Sequence, residues 1–189
     1  MRPMTAARTA WLPPSRALTV ADLDAMVTDD GHRYELIDGV LIVSPAPTYR
    51  HQMISVQLVS LMNALCPTGL RVYSAPCDVV LADDTMVQPD ILVTTDVADR
   101  SVRPLLAIEI LSPSTRMFDL VLKKERYQRA GIPSYWVIHP EGPRLVAWEL
   151  RGGEFVEIAD VTGDQEWSAS APFGVRIVPS ELLKLPRER

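Results

Sequence analysis

The sequence has few cysteines, no long apolar run and no excess of positive charge, and each of these absences narrows the kind of protein it can encode. Cys66 and Cys77 are too few for a disulfide framework or a cysteine-based zinc site, which favours a reducing, cytoplasmic location. No apolar run approaches membrane-spanning length, so we expect a soluble protein without a membrane partner. The formal net charge of -5 argues against a broad basic binding surface, although a local basic patch with a metal remains compatible with nucleic acid.

The length of 189 residues suits one domain with a short appendage. Residues 1–17 contain three arginines and three prolines but lack the continuous apolar core of a secretory signal. We therefore expect a flexible N-terminal arm over residues 1–17 and a single domain over residues 18–189.

Local patterns in the first third of the chain predict two helices and a hairpin. A capping-box pattern at Thr19–Asp22 predicts a short helix that ends near Val27. The turn dipeptide Asp38-Gly39 separates two β-rich runs and predicts a hairpin over residues 33–43. Apolar residues at helical spacing predict a long amphipathic helix over residues 48–66.

The remainder of the chain is mostly β-rich, with one further helix. Neighbouring strands without a helix between them favour antiparallel or mixed pairing, and the last two runs predict a C-terminal β-hairpin that extends the sheet. The fold class is therefore α/β (α+β). The predicted strands are 71–82, 87–94, 105–111, 134–138, 144–150 and 155–161, and the predicted helix is 117–130.

Two carboxylates interrupt apolar runs that we predict to be strands, Asp90 within 87–93 and Glu109 within 105–111. An ionised carboxylate in a buried strand is costly unless a cation, a metal or hydrogen bonds compensate it. Because the two strands are consecutive, one divalent cation held by oxygen ligands could compensate both acids and support phosphoryl chemistry. The alternative is that both side chains face solvent through strand alternation.

A lysine interrupts the apolar stripe of the second predicted helix, where Leu120, Lys123 and Tyr127 follow helical spacing. Asp119 lies four residues before Lys123, so an exposed ion pair worth roughly 0.3 to 0.5 kcal/mol is the simpler explanation. The other explanation is that Lys123 reaches the two acids. Residues 116–129 also carry five basic and two acidic residues, which suits either a phosphate backbone or a solvated helix face.

Several segments between Thr19 and Pro140 form a specific combined pattern. Together they resemble the PD-(D/E)XK nuclease superfamily, and more closely the Uma-two family of restriction-endonuclease-like proteins within it. The segments that carry the resemblance are Arg33–Gly39, Arg50–Gln52, Val87–Asp90, Ile108–Thr115, Asp119, Lys123, Tyr127 and Gly131–Ile138.

This resemblance implies a restriction-endonuclease-like central mixed β-sheet flanked by helices. It also implies that Mg²⁺ or Mn²⁺ is bound by Asp90 and Glu109, with the main-chain carbonyl of Ile110 as a further ligand. Glu35 would complete the acidic cluster as a catalytic partner.

The chain departs from the superfamily pattern at Leu111, where a lysine is expected two residues after the second acid. The resemblance implies that Lys123 supplies this lysine from the following helix and positions or helps to activate the attacking water. The implied reaction is phosphodiester hydrolysis, in which the metal activates water and stabilises developing negative charge.

Four further residues are secondary candidates. His51 could contact a phosphate or support Glu35, although a lone histidine near a helix start is typical of a surface or capping group. Gln88 could touch metal-bound water, although a solvent-facing strand residue is the simpler interpretation. Tyr127 could stack on bases, although its apolar neighbours favour the core, and Asp119 is the alternative ion-pair partner of the helix lysine.

The expected function is a metal-dependent DNA endonuclease, with DNA as its partner. Cleavage of two strands would favour a homodimer, for which the C-terminal hairpin could supply an interface. Two alternatives remain open at this point. One is a catalytically inactive nuclease-fold module that binds nucleic acid or protein, and the other is a phosphoesterase acting on small nucleotides.

Overall fold

The computed structural model describes residues 15–26, 32–95, 99–112 and 118–184, and these form an α+β fold with a central mixed sheet flanked by helices. The helices are α1 (Val20–Asp24), α2 (Tyr49–Leu65) and α3 (Lys124–Arg129); a π-helical segment (Phe118–Lys123) leads directly into α3, and a 3-10 helix spans Pro179–Leu183. The strands are β1 (Arg33–Ile37), β2 (Val40–Ser44), β3 (Leu70–Ser74), β4 (Val79–Ala82), β5 (Thr85–Val87), β6 (Ile91–Thr95), β7 (Leu106–Ile110), β8 (Ser134–His139), β9 (Arg144–Arg151), β10 (Glu154–Thr162), β11 (Trp167–Ala169) and β12 (Val175–Ile177).

The strands divide into a large sheet, a small sheet and a two-stranded ribbon. The large sheet has the order β10-β9-β8-β7-β6-β3, in which β7 and β8 are parallel and the other neighbours are antiparallel. The small sheet has the order β2-β1-β5-β4, and β11 pairs with β12. The expected mixed sheet is therefore confirmed, and a separate small sheet accompanies it.

Several local predictions are confirmed by the structure. Thr19 and Asp22 form the capping box of α1, although this helix ends at Asp24, and the predicted end near Val27 lies outside the described residues. Asp38 and Gly39 both have positive φ angles, of 52° and 73°, which the tight turn between β1 and β2 requires. The long helix and the hairpin formed by β9 and β10 also lie where the sequence predicts them.

Two predicted strands are wrong, because each is divided between the two sheets. The run 71–82 becomes β3 in the large sheet and β4 in the small sheet, and the run 87–94 is divided between β5 and β6. Proline lacks the N–H group that a sheet ladder needs, and Pro76 and Pro89 lie in the two interruptions. Asp90 consequently lies just before a strand rather than inside one.

Three groups of buried apolar side chains hold these layers together. On one face of the large sheet, α2, β11, β12 and the 3-10 helix pack against β6 to β9. On the other face, α3 and the small sheet enclose a second core around Tyr127 and Tyr135. A third cluster joins α1 to the outer face of the small sheet. The space between the two sheets is therefore filled by the second core. Polar side chains that lie there are surrounded by apolar residues.

The C-terminal segment after residue 162 adds buried side chains that the sequence patterns did not predict, among them Phe173 and Ile177. Most of the expected N-terminal arm, residues 1–14, lies outside the described residues. Within the described ranges, no helix combines the length and the apolarity needed to cross a lipid bilayer.

Candidate active site

Three carboxylates and one lysine are almost completely buried between the two sheets. Glu35, Asp90, Glu109 and Lys123 each expose 3% or less of their surface. The alternative in which Asp90 and Glu109 face solvent is therefore wrong. A buried charge is costly unless it is paired and hydrogen-bonded, so the contacts of these four side chains determine what the cluster can do.

Strand alternation directs Glu35 and Glu109 into the same layer. In β7, Ala107 belongs to the core between the sheets, whereas Ile108 and Ile110 belong to the core under α2, so Glu109 lies on the side of Ala107. In β1, Leu36 packs under α1 and Ile37 packs between the sheets, which places Glu35 on the inner side. The two acids thus approach each other from different sheets.

The backbone hydrogen-bond ladder between β6 and β7 ends at the Pro89-Asp90 dipeptide. A hydrogen bond to the side chain of Asp90 takes the place of the next backbone hydrogen bond. The register pairs Ile91 with Ile108, so continuing the ladder would place Pro89 opposite Ile110. Proline cannot donate a hydrogen bond to that neighbour. The amide of Ile110 instead donates to Asp90 Oδ2 at 2.7 Å, which fixes the carboxylate against β7 beside Glu109.

Asp90 is also bound by two basic side chains. Arg33 Nη2 donates to Oδ1 at 2.8 Å, and His51 Nε2 lies 3.0 Å from Oδ2. Burial raises the pKa of Asp90, but the hydrogen bond and charge of His51, the charge of Arg33 and the amide of Ile110 outweigh it and lower the pKa to about 2. Asp90 is therefore ionised at neutral pH.

Lys123 joins the other two acids. Its Nζ atom lies 2.8 Å from Glu35 Oε1 and 3.1 Å from Glu109 Oε1. Lys123 is the last residue of the π-helical segment and is 2% exposed, so the interpretation as an exposed helix ion pair is wrong. The side chain of the expected partner, Asp119, lies outside the described residues.

Tyr127 lies one turn after Lys123 and contacts the same carboxylate. Its hydroxyl donates to Glu109 Oε1 at 2.9 Å, while its ring packs 5.1 Å from the ring of Tyr135. Burial, together with the nearby charges of Glu109 and Glu35, raises the pKa of Tyr127 well above its usual value. The phenol therefore stays protonated and orients Glu109, and its buried ring is not available for base stacking.

His51 and Gln88 differ from the simpler interpretations of their sequence context. His51 is 7% exposed rather than on the surface, and it supports Asp90 rather than Glu35. Gln88 is half-buried: its backbone N–H donates to Glu35 Oε1 at 2.7 Å, and its side-chain amide donates to Asp78 at 2.7 Å. Both residues therefore hold acids of the cluster in place.

Arg33 was not among the candidate residues, although it belongs to the quoted segment Arg33–Gly39. Its guanidinium contacts both Asp90 and the carbonyl oxygen of Gln88. The signal that could have found it is alternation: Arg33, Glu35 and Ile37 must lie on one face of β1, so burial of Glu35 places Arg33 beside the same layer.

The basic side chains of residues 116–129 mostly contact other residues of the protein. Arg126 pairs with Asp38, Arg129 pairs with Glu125, and Lys124 lies 4.0 Å above the ring of Trp148. Lys123 is buried in the cluster, and Arg116 lies outside the described residues. These contacts leave little of the expected patch for a phosphate backbone.

The donor chemistry of the cluster suits a hard divalent cation held by few protein ligands. Asp90, Glu35 and Glu109 contribute three carboxylate groups, against the guanidinium of Arg33 and the side-chain amine of Lys123. Within the described ranges, no three His, Cys, Asp or Glu side chains are grouped closely enough to form a complete metal cage. Mg²⁺ commonly uses only one or two carboxylates and retains several waters, so two acids and a main-chain carbonyl fit its preferences.

Comparison with known proteins agrees with this fold. Residues 20–180 match the Uma2 (Uma-two) family, which is described as "Putative restriction endonuclease". The chain belongs to the Uma2 family. The match includes every residue of the cluster described above. No curated protein matches the chain.

One solved structure has a fold similar to that of this chain. It is a crystal structure from Anabaena variabilis, described as a putative nuclease belonging to DUF820, with a TM-score of 0.71 and 18% sequence identity. The alignment covers 88% of this chain and 97% of that chain. At this identity the similarity establishes the fold, and the chemistry must be argued from the residues of this chain.

Proposed function

We propose that this Uma2 protein is a Mg²⁺- or Mn²⁺-dependent endonuclease that hydrolyses phosphodiester bonds in DNA. The observation that carries the proposal is the burial of Glu35, Asp90 and Glu109 around one lysine. Clusters of buried ionisable side chains in contact with one another are concentrated at functional sites. Membership of a family described as restriction endonucleases supports the reaction class.

In this proposal, Asp90, Glu109 and the carbonyl of Ile110 would hold the cation. The N–H and C=O groups of one strand residue point to the same side, and the N–H of Ile110 faces Asp90. When bound, the metal would supply Lewis-acid stabilisation of the phosphoryl oxygens and a more acidic water.

The other residues of the cluster have separate roles. Lys123 would orient the attacking water and stabilise negative charge that develops on the phosphate. Glu35 fixes the Lys123 ammonium from one side and is itself fixed by the amide of Gln88. Tyr127 holds Glu109 in position through its hydroxyl. Tertiary contacts therefore preorganise the lysine although Leu111 occupies the usual lysine position.

A catalytically inactive binding module is the second candidate, and one observation favours it. Both oxygens of Asp90 already accept hydrogen bonds from the protein, from Arg33, His51 and Ile110. A metal would have to compete with Arg33 or His51 for this carboxylate. If it cannot, the fold could bind a partner without cleaving it.

Cleavage of supercoiled plasmid DNA distinguishes these two candidates. We expect nicked and linear products with Mg²⁺ or Mn²⁺ and none with EDTA. Asp90→Asn, Glu109→Gln and Lys123→Met should each reduce the rate roughly 10²-fold or more, because each removes a group that acts on the reacting phosphate or its metal.

The control variant for these substitutions is Glu157→Gln, which makes the same chemical change on the exposed strand β10. It should cleave at the wild-type rate. Circular dichroism of every variant checks that the fold is retained. Cleavage that persists in Asp90→Asn and Glu109→Gln would contradict the nuclease assignment and indicate contamination or another site.

A cytoplasmic location and a homodimer are part of the same proposal. The aromatic residues of the C-terminal hairpin do not support its use as the dimer interface, because Trp148 and Phe155 stack on Tyr135 inside the protein. An interface on this hairpin would instead involve other residues of the edge strand β10, such as Val156, which is 41% exposed.

A further inference from the structure

Asp78 is an acidic residue outside the cluster, and Gln88 connects it to the cluster. Asp78 is half-buried and lies in the segment between β3 and β4. Its Oδ1 atom accepts a hydrogen bond of 2.7 Å from the side-chain amide of Gln88. Because the backbone of Gln88 also contacts Glu35, the position of Asp78 bears on the residues around Lys123.

The register of the small sheet places Asp78 opposite Gln88. Val79 in β4 pairs with Val87 in β5, so continuing this antiparallel ladder by one residue would bring Asp78 and Gln88 together. Side chains that stand opposite each other on antiparallel strands are close enough to interact. The pairing of β4 with β5 therefore brings these two side chains within hydrogen-bonding distance.

Gln88 forms hydrogen bonds through its side chain, its carbonyl oxygen and its backbone N–H. The side chain donates to Asp78, and the carbonyl oxygen accepts from Arg33 Nη1 at 3.3 Å. The backbone N–H donates to Glu35 Oε1 at 2.7 Å. Pro89 follows directly and confines the backbone of Gln88 to extended conformations. The direction of the Gln88 N–H group is thus set by its neighbours, and Asp78 is the one that holds the side chain.

A single oxygen of Glu35 contacts both Gln88 and Lys123. Glu35 Oε1 lies 2.7 Å from the backbone nitrogen of Gln88 and 2.8 Å from Lys123 Nζ. If the Gln88 amide moves, this oxygen must follow it or lose its hydrogen bond, and the ammonium that contacts the oxygen is displaced as well. A displacement of about 1 Å in a reacting group can reduce a rate by roughly 10²-fold.

Asp78 could instead act directly, as a further ligand of the proposed cation. Among the described residues, however, no three His, Cys, Asp or Glu side chains are grouped closely enough to hold a metal. The two roles also have different chemical requirements. A cation ligand needs the negative charge of a carboxylate, whereas the Gln88 side chain needs only an oxygen that accepts its hydrogen bond.

We propose that Asp78 is a positioning residue, which holds the Gln88 amide against Glu35 and so keeps the Lys123 ammonium in place. The positioning itself rests on the geometry of these contacts, whereas its effect on DNA cleavage rests on the proposed nuclease function. In this arrangement Asp78 touches neither the cation nor the DNA.

The amide proton resonance of Gln88 tests the positioning without metal or DNA. A short hydrogen bond to a carboxylate shifts an amide proton downfield. Asp78→Ala removes the acceptor of the Gln88 side chain, so it should shift this resonance upfield and speed its hydrogen exchange by about tenfold. Asp78→Asn retains an accepting oxygen and should leave the resonance close to its wild-type position. An unchanged Gln88 resonance in Asp78→Ala would overturn the proposal.

Asp99→Ala is the matched control, because it removes an exposed aspartate side chain that does not contact Gln88. Asp99 accepts hydrogen bonds from the backbone and the hydroxyl of Ser101 instead. Its removal should leave the Gln88 resonance and the cleavage rate unchanged, and circular dichroism checks that both alanine variants are folded. Equal shifts of the Gln88 resonance in Asp78→Ala and Asp99→Ala would contradict a specific role of Asp78.

Plasmid cleavage tests the effect of Asp78 on the reaction. Asp78→Ala should lower kcat roughly tenfold and leave KM for DNA nearly unchanged, because it displaces a group that acts in the transition state. Asp78→Asn should recover most of this rate, whereas Asp90→Asn should not cleave. A loss of cleavage in Asp78→Asn as complete as in Asp90→Asn would show that the charge of Asp78 is required, and would overturn the positioning role.

The two readouts separate this inference from the proposed function. If Asp78→Ala shifts the Gln88 resonance but the wild-type protein cleaves no DNA, the result supports the positioning and overturns the nuclease assignment. If the wild-type protein cleaves DNA and Asp78→Ala has the same kcat, the result supports the nuclease assignment and overturns the role of Asp78 in the reaction.

Discussion

At the scale of single residues, Lys123 is fixed by contacts with two carboxylates. It is 2% exposed and lies between two buried carboxylates that come from different sheets. Breaking a buried ion pair by removing one partner leaves an uncompensated charge and is strongly destabilising. The lysine therefore contributes to stability as well as to the proposed chemistry.

Replacing Lys123 by methionine tests this structural role without any metal. We expect Lys123→Met to lower the free energy of unfolding by about 3–5 kcal/mol in urea, because Glu35 and Glu109 lose their shared cation. Lys124→Met is the matched control, since that half-buried lysine only lies above the Trp148 ring. Equal effects of the two substitutions would contradict the buried pairing.

The low pKa of Asp90 predicts how the free energy of unfolding depends on pH. Its pKa falls from 3.8 to about 2 on folding, so the unfolded chain takes up the proton first as the pH is lowered. The stabilisation is complete above about pH 4 and is lost as the pH falls towards 2. The difference in unfolding free energy between wild type and Asp90→Asn should shrink over this range in urea titrations. A difference that is constant from pH 7 to pH 2.5 would show that Asp90 is not specifically stabilised as the anion.

The sequence could predict the cluster residues that break an apolar pattern. Asp90, Glu109 and Lys123 each interrupt a buried run or stripe, and burial of a charge there requires compensation. Arg33 and His51 could not be found in this way, because each stands at the start of an element where exposed polar residues are ordinary. Alternation along β1 could place Arg33 beside the layer of Glu35, but the contacts of Arg33 and His51 with Asp90 join distant parts of the chain, which local periodicity does not reveal.

At the scale of secondary structure, the helix that presents Lys123 is more irregular than its apolar spacing indicates. A π-helical segment precedes α3 and ends at Lys123, and π-helical turns are frequently found at functional sites. The helix ends at Arg129, and Gly131 follows two residues later with a φ of +76°. The amides of Gly131 and Ile132 bond back to the last turn of the helix. This cap fixes the end of the segment that carries Lys123 and Tyr127.

Substitution of Gly131 tests the contribution of this helix end. Gly131→Ala should lower the free energy of unfolding by about 1–2 kcal/mol, because alanine is disfavoured at positive φ. The new Cβ would meet only the end of Arg103 at 4.0 Å, so crowding adds little. Gly142→Ala provides the control, since its Cβ meets nothing within 4 Å and no positive φ is involved. Equal unfolding energies for these two variants would contradict the proposed cap.

Sequence patterns predicted most of the elements, but they did not predict how the strands divide between sheets. The run from Val87 to Thr94 is continuous in composition, yet Val87 pairs with β4 and Ile91 pairs with β7. Pro89 marks the interruption, but one proline does not reveal that the chain passes to another sheet. This passage places Asp90 at a strand end, where its carboxylate accepts a hydrogen bond from the amide of Ile110 in β7.

At the scale of the whole molecule, the cluster joins the two sheets. Glu35 comes from the small sheet, Glu109 from the large sheet, and Lys123 from the helix that packs over the core between them. The acidic net charge of the chain is compatible with DNA only if the approach is local, through the cluster. We therefore expect one divalent cation to bind where these elements meet.

A crystal structure with Mn²⁺ tests cation binding at the cluster, because anomalous scattering locates the metal. We expect one strong peak within coordination distance, about 2.0–2.3 Å, of the carboxylates of Asp90 and Glu109, with Lys123 nearby and the Arg33 contact to Asp90 altered. The peak should disappear in Asp90→Asn. A Mn²⁺ peak elsewhere in the protein, or no peak at saturating metal, would contradict metal binding by Asp90 and Glu109.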